Sequence, residues 1–323
     1  MNVLVAGGAG YIGSACVEFL CDAGHRVSVL DDLSEGHRQA IDPRSRFFHA
    51  CLADREATRE AVRQSEAEAI LHLAAFALVG ESMTHPGKYF FNNISCGLNL
   101  LEAAVACRVR KIVFSSTCAT YGIPAALPMT ESTPQNPINP YGESKRSFER
   151  ILHWFREAHG LDFVAFRYFN AAGATPRFGE HHRVETHLIP NLLKVALGQA
   201  AEAMIFGTDY PTPDGTCVRD YIHVLDIARA HALALQSGAS GFYNLGSGSG
   251  CSVREVLHAC EAASGRTIPV KAMPRRPGDP PVLIASPEKV RLELGWIPTH
   301  TSVREIVASA WAWHQRHPHG YHS

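Results

Sequence analysis

The chain has 323 residues, enough to bury a large core either as one α/β domain or as a large domain joined to a smaller one. Its formal net charge of -1 at pH 7 leaves no overall field to draw it to nucleic acid or anionic lipid, so any anion it binds has to be held locally. No apolar run is long enough to span a bilayer, and Met1 to Val5 leads straight into a glycine loop without the layout of a secretion signal, which makes the cytoplasm the expected compartment.

Asn2 to Ala6 is a short apolar run of strand character, followed by Gly7-Gly8-Ala9-Gly10-Tyr11-Ile12-Gly13 and a helical pattern through Val17, Leu20 and Cys21 that Gly24 closes. Strand, glycine turn and helix in that order suit a pyrophosphate: bare backbone permits close approach, and the helix N-terminus offers unpaired N–H groups and a positive dipole end. A second strand, Arg26 to Leu30, ends in Asp31, about 20 residues beyond the loop, where a carboxylate accepts hydrogen bonds from an adenosine ribose. That carboxylate would repel a 2′-phosphate, and no arginine follows it directly. The expected cofactor is therefore NAD rather than NADP.

Alternation continues with a strand at Arg46 to His49, a helix from Asp54 to Gln64, a strand at Ala69 to Leu73, one long helix from about Pro86 to Cys107 and a strand at Lys111 to Ser115. The pattern predicts a Rossmann-type, doubly wound parallel sheet with ligands beyond the C-terminal strand ends, where Leu73-Ala74-Ala75 and Ser115-Ser116-Thr117 fall. A loop rich in Pro, Asn and Thr, residues 119–140, leads into Tyr141-Gly142-Glu143-Ser144-Lys145, on a helix that continues through Phe148, Ile151, Leu152 and Phe155. Positions i and i+4 of a helix share a face, so the phenol and the ammonium can serve one reacting centre. A free phenol has a pKa of about 10, and a base working near neutrality needs it lowered by about 3 units, much of which a neighbouring cation can supply. Taken alone, the same pair also arises by chance on amphipathic helices. The strand Phe163 to Arg167 follows, ending in Tyr168-Phe169-Asn170.

After Gly173 the texture changes. Thr175 to Arg183 is polar and expected to be a mobile loop, and later elements are shorter: a helix at His187 to Leu197, a strand at Met204 to Phe206, a turn-rich loop at Asp209 to Asp214, a helix at Val224 to Gln236 and a strand at Phe242 to Leu245. Ser252 to Glu255 and Ser302 to Glu305 read as capping boxes, and Ser286-Pro287 as another helix start. We therefore expect an NAD-binding domain over residues 1–174, with a return of the chain at about 220–247, and a smaller α/β domain over 175–323. The nine cysteines contain no Cys-x-x-Cys and sit mostly in apolar stretches, which favours reduced thiols over disulfides or a zinc site. His314, His317, His319 and His322 cluster at the C-terminus, but their spacing matches no ligand motif and Pro318 interrupts it, so no metal is expected.

With these residues in view, the chain resembles the extended short-chain dehydrogenase/reductases over essentially its full length, and within them the UDP-galactose 4-epimerase family. The glycine loop, Asp31, Ser115-Ser116-Thr117, Tyr141-x-x-x-Lys145 and Tyr168-Phe169-Asn170 carry the superfamily pattern. Phe206-Gly207-Thr208-Asp209-Tyr210-Pro211, Val218-Arg219-Asp220-Tyr221-Ile222-His223-Val224, Pro274-Arg275-Arg276-Pro277-Gly278-Asp279 and the ending Trp311-x-Trp313-His314 with His317-Pro318-x-Gly320-Tyr321 look like the epimerases in particular. The resemblance implies NAD-dependent 4-epimerisation of a UDP-hexose, UDP-glucose or UDP-galactose, through a transient 4-keto sugar. Tyr141 would act as the base on the sugar 4-hydroxyl, Lys145 would lower its pKa and hold the nicotinamide ribose, and Thr117 would hydrogen-bond the same hydroxyl. The cofactor would be held by Gly7, Gly10, Tyr11, Ile12, Gly13, Asp31, Leu52, Ala74, Asn93, Ser115, Tyr141, Lys145 and Tyr168. Arg219 and Arg276 would clamp the diphosphate, Asp279 the uridine ribose, and Phe206 and Leu188 the uracil, with Asn170 near the phosphates and Leu283 at the sugar pocket. A homodimer through the helices of Pro86 to Cys107 and Tyr141 to His159 is also implied, with Leu98, Leu101, Phe148 and Leu152 among the apolar residues available.

Some positions depart from the family pattern. Ala50-Cys51 stand where many members carry Gly-Asp at the adenine pocket, and Ala77 where some place a lysine near the nicotinamide, so NAD is expected to be held less tightly. Cys118-Ala119 after Thr117 cannot replace the Asp-Glu pair that sugar-nucleotide 4,6-dehydratases need, which argues against dehydration. The remaining alternatives are 4-epimerisation of a UDP-N-acetylhexosamine, UDP-pentose or UDP-hexuronate, and a nucleotide-sugar- or NAD-binding regulatory protein without turnover. Retention of Tyr141, Lys145 and Thr117 together speaks against the last.

Overall fold

A computed structural model describes residues 1–276 and 278–321; Pro277 and His322, both named above, lie outside the described residues. The first part of the chain runs β1 (Asn2–Ala6), α1 (Tyr11–Asp22), β2 (Arg26–Asp31), β3 (Arg46–His49), α2 (Arg55–Ser65), β4 (Ala69–His72), α3 (Val79–Thr84), α4 (Pro86–Phe90), α5 (Gly97–Ala106), β5 (Lys111–Thr117), α6 (Pro140–His159), β6 (Asp162–Tyr168) and β7 (Asn170–Ala172). The rest runs α7 (Leu188–Ala196), β8 (Ala203–Phe206), β9 (Val218–His223), α8 (Val224–Gln236), β10 (Gly241–Leu245), β11 (Gly250–Ser252), α9 (Val253–Ser264), β12 (Val270–Met273), β13 (Val282–Leu283), α10 (Glu288–Leu294) and α11 (Val303–Arg316).

Seven strands pair in parallel in the order β10-β6-β5-β4-β1-β2-β3. Chain direction across the sheet reverses between β1 and β4, which opens a crevice at their C-terminal ends. Side chains alternate across the sheet. Val5, Val29, Leu71, Val113 and Phe166 join the core beneath α1 and α8, while Leu4, Leu30, Ile70, Ile112 and Phe114 face α2, α5 and α6. Val290, Leu294 and Trp296 also pack into the first of these cores, so the chain returns to the large lobe later than the expected 220–247 as well as within it. In the smaller lobe β7, β9, β11 and β13 form one sheet, β8 and β12 pair in parallel, and α7, α9 and α11 close around Leu192, Val256, Cys260 and Val307.

Three expectations need correction. The helix expected from Pro86 to Cys107 is interrupted by a π turn over Phe91–Cys96, a common device near functional sites. Thr175 to Arg183 is packed rather than loose: Thr175 and Phe178 are buried, Thr175 bonds Glu18, and Arg177 bridges Glu18 and Asp42. Ser252 and Glu255 form a reciprocal capping box, but Ser302 only caps, accepting from the Arg304 N–H.

The loop between β5 and α6 hangs on a buried ion pair. Glu149 on α6 accepts from Arg167 Nε and Nη2 at 3.0 and 2.7 Å, and also from Ser116 Oγ at 2.5 Å and Gln135 Nε2 at 2.7 Å. Arg167 Nη1 donates on to the Tyr121 hydroxyl, which donates to Asn244 Oδ1 on β10. Arg167→Met removes the cation from a carboxylate that is 1 % exposed. It should destabilise the protein by about 3–5 kcal/mol, read as a lowered thermal midpoint; an unchanged midpoint would show that the pair is dispensable.

Candidate active site

The reversal between β1 and β4 places the glycine loop opposite Leu73-Ala74. Gly7 closes β1, its N–H donating to Leu30 O at 2.9 Å, and the first helical hydrogen bond of α1 runs from Ser14 N to Gly10 O. The N–H groups of Tyr11, Ile12 and Gly13 therefore precede the helical ladder and are free for an anion. A Cβ on Gly10 would meet only Gly7 O, at 3.5 Å, so open space lies over the loop where a pyrophosphate would rest. Asp31, at the end of β2, accepts from Ala9 N at 3.0 Å and Leu33 N at 2.8 Å. Burial raises its pKa and these two bonds oppose the rise, while each oxygen keeps lone pairs for a ribose hydroxyl. These residues fit a dinucleotide.

The adenine side is built as the departures imply. Leu52 is 9 % exposed, its carbonyl fixed by Asn99 Nδ2 at 2.8 Å. The Cys51 thiol bonds Asp32, so a carboxylate stands beside the position from β2 instead. Ala77 is exposed and brings no charge, but Lys88 sits 4.1 Å over the neighbouring Phe76 ring.

Thr117, Tyr141 and Lys145 meet where β5 ends against α6. Asn139 caps the helix, accepting from Gly142 N at 2.8 Å, and Pro140 occupies its first turn. A Cβ at Gly142 would stand 2.6 Å from Ala119 O; the bare α-carbon lets the helix start press onto the turn after Thr117. Tyr141 is thereby set against the Thr117 hydroxyl, whose hydrogen bond favours the phenolate. Burial nevertheless pushes the phenol up to about 12. Lys145 is 2 % exposed, and burial lowers its ammonium to about 7. Its Nζ donates to Ser115 O at 2.7 Å and stands 4.7 Å over the Phe114 ring. The shift at Tyr141 is set by burial and opposed by Thr117, and that at Lys145 by burial and opposed by Glu149.

Two expected cofactor contacts are engaged elsewhere. Asn93, in the π turn, accepts from Phe76 N and donates to Phe76 O and Ser144 Oγ, all at 3.0 Å. Its amide fixes the loop after β4 to α6 rather than offering a free donor. The Tyr168 hydroxyl points into the core, 2.7 Å from His231 Nε2, with His231 held neutral by burial and its Nδ1 at Ile227 O. Only its backbone remains for the cleft.

The second lobe brings most expected substrate residues together. Arg219 Nη2 pairs with Asp279 Oδ1 at 2.5 Å, and the Arg276 guanidinium lies 4.1 Å over Phe206. Asn170 pairs in register with Tyr221, and Leu188 opens α7. Leu283, with Cys118, packs on Tyr121, Met129, Phe169 and Ala285, an apolar floor between Thr117 and Arg219. Cys118 was weighed only as a missing proton donor; burial pushes its thiol up to about 12, so it acts as apolar surface. Tyr11, expected at the cofactor, has its hydroxyl engaged: it donates to Gly173 O at 2.6 Å and ties the glycine loop to the segment that follows β7. Sequence reading missed the cluster Glu180, His182, Glu185 and His187, which its His-x-x-Glu-x-His spacing signals. At the C-terminus His314 is buried and His317 stacks on Trp313, and among the described residues no metal-like group forms there.

Comparison with known proteins gives a consistent set of likenesses. The NAD dependent epimerase/dehydratase family profile matches residues 3–246. A UDP-glucose 4-epimerase from Halalkalibacterium halodurans is 49 % identical over 327 residues, covering 99 % of this chain and 98 % of that one. A solved UDP-glucose 4-epimerase superposes with a TM-score of 0.97 at 48 % identity, covering 99 % of each chain. The enzyme from Bifidobacterium longum, in complex with NAD+ and UDP, superposes with a TM-score of 0.94 at 35 % identity, covering 99 % of this chain and 100 % of that one.

The Lys145 site has a stability signature. Its folded pKa of about 7 lies below the 10.5 of an unperturbed lysine, so between these values the unfolded state binds more protons and stability rises with pH. Cofactor-free Lys145→Met should melt higher than the parent at pH 6, by a few kcal/mol, and the gain should fade toward pH 10. A gain independent of pH would mean that the buried ammonium is not its source.

Proposed function

The chain belongs to the NAD-dependent epimerase/dehydratase family, and from that premise we infer that it interconverts UDP-glucose and UDP-galactose by NAD-dependent 4-epimerisation. The observation that carries this reading is the meeting of Thr117, Tyr141 and Lys145 where β5 ends against α6, one strand from the β1/β4 crevice, with Cys118 between Thr117 and Arg219 of the Arg219–Asp279 pair.

Bound NAD would supply reversible hydride acceptance. Tyr141, as phenolate, takes the proton of the sugar 4-hydroxyl and, as the resulting phenol, returns it, with Thr117 bonded to the same oxygen. Lys145 has three N–H donors, of which one is spent on Ser115 O, leaving others for ribose hydroxyls. Arg219, Arg276, Asp279 and Phe206 hold the UDP end. Binding energy is thus placed away from C4, and the 4-keto sugar can turn over the apolar floor of Cys118 and Leu283. Neither Cys118 nor Ala119 supplies the acid-base pair of a dehydratase, which favours epimerisation. Leu283 is compatible with hexoses and leaves N-acetylated sugars, UDP-pentoses and UDP-hexuronates as the alternative substrates.

The cytoplasm suits this chemistry, and no helix among the described residues is long and apolar enough to cross a membrane. A homodimer is supported by the surface along α3, α4 and α6, though not by the residues first named for it. Leu101, Phe148 and Leu152 are buried in the core, whereas Met83, Phe91 and Trp154 are 58–63 % exposed.

Two outcomes follow. NAD-loaded Tyr141→Phe should lose about 10²–10⁴-fold in epimer formation from UDP-galactose; a folded variant with full activity would sink the assignment. Phe91→Glu with Trp154→Glu should shift the protein from dimer to monomer in light scattering, and a parent protein that is already monomeric would refute the dimer.

A further inference from the structure

Four potential ligands converge in the segment between β7 and α7, beside Tyr11 of the glycine loop. His182 Nδ1 lies 3.4 Å from Glu180 Oε1 and 3.2 Å from Glu185 Oε2. His187 Nδ1 lies 2.8 Å from Glu180 Oε1 and 3.2 Å from Glu185 Oε1. One ligand atom from each residue falls within 4.8 Å of all the others. We propose that Glu180, His182, Glu185 and His187 bind one zinc ion in a closed, structural site.

Tetrahedral zinc with bonds of about 2.0–2.2 Å to imidazole nitrogen and carboxylate oxygen has ligand-to-ligand edges of about 3.3–3.6 Å. Three His–Glu separations, 3.2, 3.2 and 3.4 Å, are close to this, and the fourth, 2.8 Å, has to widen; because His182 meets Glu185 Oε2 and His187 meets Oε1, that carboxylate must also turn to present one oxygen. Each carboxylate touches both imidazoles, and both imidazoles turn the same nitrogen inward, which makes a ring of alternating donors rather than two separate pairs.

Charge points the same way. The two carboxylates carry a charge of -2, which one divalent cation would cancel on displacing the proton that His187 otherwise holds between Glu180 and Glu185. The arginine of the segment gives no help, since Arg183 bonds the backbone carbonyls of Leu33 and Ser34. Tyr11, edge-on to His182 at 6.2 Å, has its hydroxyl committed to Gly173 O and is not a further ligand. The side chains of Glu180 and Glu185 are 6 % and 3 % exposed, while that of His187 is 48 % exposed and gives a cation its way in.

Four protein ligands leave no open position for substrate, so the site is structural. Its place explains what it would stiffen. His187 is the N-cap of α7, whose first residue is Leu188, and His182 packs on Tyr11 of the glycine loop. The ion would lock the junction between the dinucleotide loop and the helix assigned to the uracil.

The test uses the full chain, stripped with a chelator, loaded with zinc sulfate and dialysed. Elemental analysis should find one zinc retained per chain, cobalt should give the visible absorption of a tetrahedral site, and zinc should raise the melting temperature. His182→Gln and Glu185→Gln should each weaken binding by about 100-fold or more and abolish the melting shift, while His317→Gln, in the C-terminal histidine group, should keep both. If Glu185→Gln does not fold, His182→Gln, at the more exposed edge, decides. No retained zinc in the parent protein, or equal retention in the parent and His182→Gln, overturns the proposal. Neither readout depends on epimerase activity.

Discussion

The Glu149–Arg167 pair is the constraint on which the active-site side of the large lobe depends. Residues 121–139 have no strand or helix to shape them, yet they must deliver Tyr141 to the end of β5. The pair fixes them from several directions: Gln135 and Ser116 bond the carboxylate, Tyr121 bonds the guanidinium, and Asn244 carries the network to β10 and to Met129 O. A buried ion pair of this kind adds little net stability against a well-packed apolar substitute, but losing one partner is expensive. Its value is that one arrangement of the loop satisfies every group and others strand a charge.

Within that frame, burial acts on the reacting pair in an instructive way. It drives the Tyr141 phenol up to about 12 and the Lys145 ammonium down to about 7, so each is pushed toward its neutral form. Thr117 opposes the rise at Tyr141 and Glu149 opposes the fall at Lys145, so each buried group has a partner that favours its charged form.

The large lobe was legible because its signals are local and periodic. The glycine loop, Asp31 and the strand runs sit at fixed offsets, and the central strands β1, β4 and β5 are buried on both faces. The small lobe was harder to read: β7, β9, β11 and β13 are short and pair across long separations, so propensity says little about them. The π turn at Phe91–Cys96 was invisible because its extra residue leaves the apolar pattern looking helical. The segment after Gly173 was misjudged because its polar side chains look like a solvent-facing loop. In the structure they find partners, Thr175 and Arg177 on Glu18, that lie more than 150 positions away. Asn93 and Tyr168 show the limit of residue-by-residue transfer: a pattern names the position, while the side-chain polar groups are satisfied by Phe76, Ser144 and His231.

Ser115-Ser116-Thr117 looks like one motif but is divided by the pleat. Strand alternation sets Ser116 apart: its hydroxyl serves Glu149, while Ser115 bonds Tyr168 and Thr117 bonds Tyr141. A substitution at 116 therefore leaves a buried carboxylate one hydrogen bond short and loosens the loop that the Glu149–Arg167 pair holds, whereas one at 117 removes the hydroxyl set against Tyr141.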